Sequence, residues 1–321
     1  MNIGILGTGS IAEKMSATIN QMNNVSLYAV ASRTAEKAKN FAEKYNIPNY
    51  YESYEKLVKD PDIELIYIAT PHSRHYEDCM LCLENGKNVL CEKSFTANAK
   101  QAEKLLDYSR NHNIFVSEAI WTRFMPMKFV LDEIIKSGII GKISSLTANI
   151  GYNLLNKERV QKPELAGGAL LDIGIYTINF ALMAFGNDIA DIKSKCIKNK
   201  HGVDIINNIL ITFKDDKTAL LHNNAAANTD RLGVIYGTDG RIEFHNINNC
   251  EGIRVILNDG TIKDYKTPPQ ISGYEYEVEA SLNAIKAGKI ETDFMPHCES
   301  LRIMNIMDNL RMEWGIKYPF E

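Results

Sequence analysis

Lys93, Asp172 and Tyr176 are residues of the types that move a proton beside a reacting carbon. Asp172 and Tyr176 lie in the stretch GGALLDIGIYTI, residues 167 to 178. They are four positions apart, so a helix would carry both on one face. The carboxylate interrupts an apolar run beside Gly167 and Gly168, where a partner can approach closely, and this fits poorly with a plain core helix. The bland alternative is a capping aspartate and an ordinary buried tyrosine. A free tyrosine titrates near pH ~10, roughly three units too high for a base at neutral pH. An ammonium close by favours the phenolate and brings that value down. Lys93 closes the stretch NVLCEK just after Glu92, at the carboxyl end of an expected parallel strand. That is the edge at which open α/β sheets bind ligands. Taken alone, such a Glu-Lys pair is an ordinary surface ion pair.

A second constellation opens the chain. GTGSIA (Gly7, Thr8, Gly9, Ser10, Ile11, Ala12) fits G-x-G-x-x-A between the apolar stretch NIGILG and the helical stretch SIAEKMSATINQM. Gly7 permits the tight turn, Gly9 lets the backbone approach a pyrophosphate, and Ala12 keeps helix and strand close. The helix N-terminus then offers amide donors and a favourable dipole to phosphates. A lone fingerprint is weak, but one placed on a strand–turn–helix at residue 7 is specific. At the end of the second strand, where NAD binders usually carry an acid, the chain reads VASRTAEK. Ser32, Arg33 and Lys37 instead suit an adenosine 2′-phosphate, which a guanidinium holds through charge-assisted bonds. The pattern predicts NADP as the preferred cofactor and NAD as the second choice.

The elements that must hold these residues are legible in the periodicity. Residues 1–118 alternate near-continuous apolar strands with amphipathic helices, which indicates a parallel sheet covered on both faces. Thr34 and Asn98 are placed to cap two of the helices, and Gly86 ends another. Residues 119–321 change pattern: helical stretches flank a series of extended runs separated by turns such as TDGR and NDGT. The expected architecture is α/β, an N-terminal Rossmann dinucleotide-binding domain (1–118). A C-terminal α+β domain (119–321) with a large, mostly antiparallel open sheet follows, its last helix returning to the first domain.

Bulk properties exclude several classes. The formal charge is −4, so no basic footprint argues for nucleic acid. No apolar run is expected to reach the length needed to cross a bilayer, and MNIGILGTGS enters a strand directly without a signal-like segment, so a cytoplasmic enzyme is expected. The six cysteines are scattered and read as reduced thiols. His72, His75, Cys79 and Cys82 are of zinc-binding types, but no second ligand pair follows at suitable spacing, so a packed helix is expected and no metal.

Taken together, the motifs resemble the Gfo/Idh/MocA oxidoreductase family. Its members carry a glycine fingerprint, a Thr-Pro followed by a His, a Glu-Lys-Pro, and a later Asp with a His or Tyr four positions on. Here these read GTGSIA, TPHSRH (Thr70, Pro71, His75), CEKS and DIGIY, in order along the whole chain. Within the family, SEAIWTRFMP and GGALLDIGIYTIN look most like the dimeric dihydrodiol dehydrogenases. One departure is Ser94 in place of the family's proline, which leaves the backbone after Lys93 freer.

The resemblance implies an NAD(P)-dependent dehydrogenase or reductase acting on a carbinol or carbonyl carbon of a cyclic polyol, sugar derivative or trans-dihydrodiol. Tyr176 and Lys93 would handle the proton, and Asp172 would steady Lys93 or a substrate hydroxyl. Thr70, Pro71, His75, Glu92 and Lys93 would join the cofactor site. Trp121 and Arg123 are expected as substrate-side walls, with a domain-interface plug as the equal alternative. A homo-oligomer, most simply a dimer through the C-terminal sheet, is also expected. Two other readings remain open: a non-catalytic NADP sensor on the same fold, and a redox-assisted lyase or hydrolase with retained NAD.

Overall fold

The computed structural model describes all 321 residues, which divide into two compact units: Met1–Trp121 with Gln270–Asn305, and Thr122–Pro269 with Ile306–Glu321. In the first unit, strands β1 (Asn2–Leu6), β2 (Ser26–Ala31), β3 (Asn49–Tyr51), β4 (Leu65–Ile68), β5 (Asn88–Glu92) and β6 (Val116–Ala119) form a parallel sheet in the order β3-β2-β1-β4-β5-β6. This is the dinucleotide-binding strand order. Ile3, Ile5, Leu6, Leu65, Ile66, Ile68, Val89 and Leu90 are buried, as strands covered on both faces require. Helices α1 (Ser10–Ile19), α2 (Ala35–Tyr45), α3 (Tyr54–Leu57), α4 (His75–Glu84) and α5 (Ala99–His112) connect them. Thr34 caps α2 by accepting from Lys37 N, and Asn98 caps α5 by accepting from Gln101 N. Gly86, with φ +72°, follows the end of α4. Cys79 and Cys82 are fully buried on α4 as free thiols.

In the second unit, α6 (Pro126–Lys136), β7 (Ile143–Gly151), α7 (Glu158–Gln161) and α8 (Ile175–Phe185) precede seven strands. These are β8 (Ile189–Lys198), β9 (Asp204–Phe213), β10 (Thr218–Asn224), β11 (Gly233–Gly237), β12 (Gly240–His245), β13 (Gly252–Leu257) and β14 (Ile262–Lys266). The sheet runs β14-β13-β12-β11-β7-β10-β9-β8, antiparallel except for the β7–β10 pair. Its strands alternate: Leu146, Ala148 and Ile150 of β7 and Ile209, Ile211 and Phe213 of β9 are buried, while intervening residues reach solvent. Thr238 and Asp239 make the two-residue turn between β11 and β12.

The segment 163–185 corrects one sequence expectation. It is long and apolar enough to pass for a membrane-spanning helix, yet 83% of its apolar window is buried inside the protein. It is a core helix.

Two helices complete the chain, α9 (Glu275–Lys286) and α10 (His297–Glu313). All of α9 and the start of α10 belong to the first unit. There Glu275 accepts hydrogen bonds from the amides of Ile271, Ser272 and Gly273, and His297 Nε2 lies 2.9 Å from the Val116 carbonyl of β6.

Candidate functional site

The first unit carries the cofactor constellation on the carboxyl ends of β1, β4 and β5. Gly7 has φ +102°, and a Cβ there would lie 2.8 Å from the Ala69 carbonyl oxygen, so packing and backbone both demand glycine. Gly9 is different. Its φ is −83°, an added Cβ would meet no protein atom within 4 Å, and it is the N-cap of α1 with no side-chain cap. The turn therefore leaves an open cradle in front of uncapped helix amides, the geometry that accepts a phosphate. Ala12 is fully buried against the sheet, whereas Ser10 is exposed, and Thr8 and Ile11 are partly so. Thr8 Oγ1 and Ser32 Oγ stand 3.4 Å apart, joining the ends of β1 and β2. Beyond Ser32, Arg33 and Lys37 are exposed and enter no ion pair. Two exposed cations that no carboxylate neutralises in an ion pair suit a phosphate.

At the end of β4, Thr70 keeps a buried hydroxyl without a hydrogen-bond partner, an orphan that a ligand can satisfy. Pro71 is exposed beside it. His75 is fully buried, with Nε2 2.8 Å from the Thr70 carbonyl and Nδ1 2.8 Å from the Ser94 carbonyl. Burial pushes its pKa down, opposed by these two carbonyls. A neutral imidazole donates to only one of them. The ring is thus a strut between the Thr70 and Ser94 loops.

Glu92 closes β5 with its carboxylate buried, accepting from the Tyr67 hydroxyl and from Lys93 N at 3.2 Å. Burial raises its pKa and Lys93 opposes the rise. Glu277 of α9 is fully buried and neither of its oxygens has a hydrogen-bond partner; burial, then Glu92, hold its carboxyl well above the usual range. Lys93 itself is partly exposed at the strand end, and the Lys93–Ser94 peptide bond is cis. Trp121 is 7% exposed and stacks on Tyr274, centroids 4.2 Å apart and planes 10° from parallel, with its indole N–H unpartnered. Neither Tyr67, Glu277 nor Tyr274 carries a local sequence signal, because each acquires its role from elements far away in the chain.

The second unit carries Asp172 and Tyr176, the residues expected to do acid–base chemistry. Residues Leu170–Gly174 do not form the α-helix expected from spacing but a π-helical turn, which passes into α8 at Ile175. The hydrogen bonds of such a turn run from i to i+5 rather than i+4, and Tyr176 follows two residues after its end. Asp172 is buried and ion-paired with Arg159 Nη2 at 3.0 Å. Tyr176 is 8% exposed in the first turn of α8. Gly167 and Gly168 do admit close approach, but by the protein itself. A Cβ on Gly167 would lie 2.7 Å from the Lys162 carbonyl oxygen, and one on Gly168 (φ +124°) 2.4 Å from Asp204 Oδ1. Arg123 is also engaged internally: 8% exposed, it donates from Nε to Asn179 Oδ1 at 2.5 Å.

Two family models match the chain. Residues 1–119 match the model described as oxidoreductase family, NAD-binding Rossmann fold, and residues 130–243 match the GFO/IDH/MocA C-terminal domain. The chain is 34% identical to trans-1,2-dihydrobenzene-1,2-diol dehydrogenase of Xenopus laevis and 32% identical to that of Xenopus tropicalis. In both cases 98% of each chain is covered. Among solved structures, a 3-ketoreductase from Actinomadura kijaniata in complex with TDP-benzene and NADP shares the fold. Its TM-score is 0.85, with 24% identity over 96% of each chain.

Proposed function

Since the chain belongs to the Gfo/Idh/MocA oxidoreductase family, we propose that it is an NADP-preferring dehydrogenase or reductase of CH–OH groups. Its substrate class is the trans-dihydrodiols, cyclic polyols or sugar derivatives. The observation that carries the reading is the open cradle at Gly9, before helix amides with no side-chain cap, in the same unit as Lys93 after β5. The loop Gly7–Ala12 holds the pyrophosphate, and Thr70 offers its unpartnered hydroxyl. Arg33 and Lys37, with Ser32, take the adenosine 2′-phosphate. His75 and Glu92 keep the two loops in place through the contacts described above. When bound, the nicotinamide cofactor supplies or accepts a hydride at the carbinol or carbonyl carbon.

Tyr176 gives a proton to, or takes one from, the substrate oxygen, and Lys93 favours the phenolate form by its charge. Asp172 is held by Arg159, and it fixes the lysine or a substrate hydroxyl. Trp121 has one face covered by Tyr274 and an indole donor to spare, which suits a substrate wall. Arg123 is held through its Nε by Asn179.

We read the outer face of the eight-stranded sheet as the dimer surface. Leu210 and Leu220 are cross-strand neighbours on β9 and β10 and are 40% and 52% exposed, an apolar pair that association would cover. The same reading assigns the protein to the cytoplasm. Fluorescence titration with NADPH and NADH, followed by turnover assays on trans-1,2-dihydrobenzene-1,2-diol and a panel of sugars and ketones, tests the activity. Failure to bind either cofactor would overturn it.

A further inference from the structure

We propose that Asp204 is a positioning residue for the acid–base constellation: with Asn207, Asn223 and Thr177 it forms a buried chain of hydrogen bonds that ties the first residue of the π-turn carrying Asp172 to Thr177, the neighbour of Tyr176 in the first turn of α8. All four side chains are at most 1% exposed and lie in the second unit. Asp204 Oδ2 accepts from the amide of Leu170, the first residue of the turn, at 2.8 Å, and from Asn207 Nδ2 at 2.8 Å. Asn207 Oδ1 accepts from Asn223 Nδ2 at 2.7 Å, across the β9–β10 register. Asn223 Oδ1 accepts from the Thr177 hydroxyl at 2.8 Å, and that hydroxyl lies 3.0 Å from the carbonyl of Gly174, the last residue of the turn.

Every amide in this chain donates toward Asp204. Such a run must end on a group that accepts twice and donates nothing in return, and a carboxylate oxygen does that. Four polar side chains inside an apolar sheet–helix layer are a high-stakes arrangement, worthwhile only when fully bonded. A π-turn is also a local departure from regular helix that is frequent at functional sites. Two glycines let the clamp close: a Cβ on Gly168 would strike Asp204, and one on Gly174 would lie 3.2 Å from Asn223 Nδ2. From the other side, the Tyr318 hydroxyl donates to the Gly167 carbonyl at 2.8 Å.

The charged and titratable groups facing Asp204 are Arg311 of α10, Tyr318 of the C-terminal segment and Cys196 of β8. Burial raises the Asp204 pKa to about 6, with the bonds from Asn207 and Leu170 opposing. In either charge state the carboxyl keeps an oxygen able to accept both bonds, so the clamp does not depend on ionisation.

The consequence for turnover rests on the assignment of Tyr176 proposed above; the clamp itself does not. Hydrogen exchange by mass spectrometry on the free protein tests it directly. In Asp204→Ala, amides of residues 168–178 should exchange about tenfold faster or more, while the rest of the sheet keeps its protection. Asp204→Asn, which retains an acceptor oxygen, should stay within about threefold of the parent. Thr177→Val, which opens the far end of the chain, should accelerate the same segment and serves if the alanine variant does not fold. Parent-like exchange in 168–178 for a folded Asp204→Ala or Thr177→Val variant would overturn the proposal. So would acceleration spread evenly over the unit, or an asparagine variant as fast as alanine. If Tyr176→Phe retains turnover while the clamp result stands, the catalytic assignment alone has failed.

Discussion

Arg123 donates to Asn179 at 2.5 Å, and Asn179 donates in turn to the carbonyl of Ile175, the residue before Tyr176. A guanidinium at 8% exposure is thus tied by one intermediary to the backbone that bears the proposed proton carrier. Removing it leaves Asn179 with a buried, unmatched acceptor. Arg123→Ala should therefore lose about 1.5–3 kcal/mol of stability, the range for a hydrogen bond to a charged group. Urea unfolding measures the loss, and a change below about 0.5 kcal/mol would assign Arg123 to the surface class.

The two fingerprint glycines should fail in different ways. Gly7→Ala forces a side chain into a positive-φ position against the Ala69 carbonyl, so it should destabilise the protein by about 1–3 kcal/mol. Gly9→Ala meets no protein atom and should melt like the parent, yet lose NADPH affinity because the methyl group enters the cradle. Thermal melts and NADPH titrations on both variants separate the effects. Parent-like cofactor binding by Gly9→Ala would remove the cradle from the argument.

Arg33→Ala should weaken NADP by about 1.5–3 kcal/mol while NAD affinity changes little, as expected for one charge-assisted phosphate contact. Isothermal titration with both cofactors measures this. Equal losses for both would assign Arg33 to the general cofactor surface rather than the 2′-phosphate.

The contrast between Gly9 and Gly168 shows how far the residues could be read before the structure. Gly9 is proposed to serve a ligand, and that role follows from a local motif on a strand–turn–helix. Gly168 serves Asp204, thirty-six positions away in the chain, and no local pattern announces that meeting. The π-turn was hidden for a related reason: one inserted residue changes hydrogen bonding but leaves the apolar pattern of LLDIGIYTI intact. β3 is three residues long, too short for alternation to register, and it went unread. A usable signal did exist for the clamp. Asparagine is disfavoured in strands, yet Asn207 and Asn223 stand at positions whose alternation points them into the core. The large sheet, by contrast, was legible because its strands alternate cleanly and its turns carry Gly and Asp.

Asp204 should also leave a mark on stability. Its pKa rises on folding from an ordinary 3.8 to about 6, mainly through burial, so the folded state holds the proton more tightly than the unfolded state does. The contribution is favourable when both states are protonated and is lost as pH rises through the interval from 3.8 to about 6. The difference, about two units, corresponds to about 3 kcal/mol as an order of magnitude. Asp204→Asn should lack this slope, so the stability difference between variant and parent should shift in the variant's favour over that interval. Urea midpoints measured across it provide the check, and a constant difference would mean that Asp204 does not titrate there.

Tyr176→Phe tests the central chemical claim. The substitution removes one oxygen and keeps the ring, so α8 should pack as before and the cofactor, held in the other unit, should bind with parent affinity. Turnover should fall by about 10²–10⁴-fold or more, the usual worth of general acid–base assistance. Oxidation by the parent should gain with rising pH as the phenol gives up its proton. If Lys93 acts on Tyr176 as proposed, Lys93→Met should move that rise to higher pH in whatever activity remains. Asp204→Ala, with Tyr176 intact but its turn loosened, should lower kcat while leaving the affinity for NADPH unchanged. It should fall short of the Tyr176→Phe loss, since the hydroxyl is still present in part of the ensemble. A folded Tyr176→Phe variant that retains more than about a tenth of the parent rate lies outside the acid–base range. In that case the tyrosine is a packing residue of α8, and the proton must travel by way of Lys93.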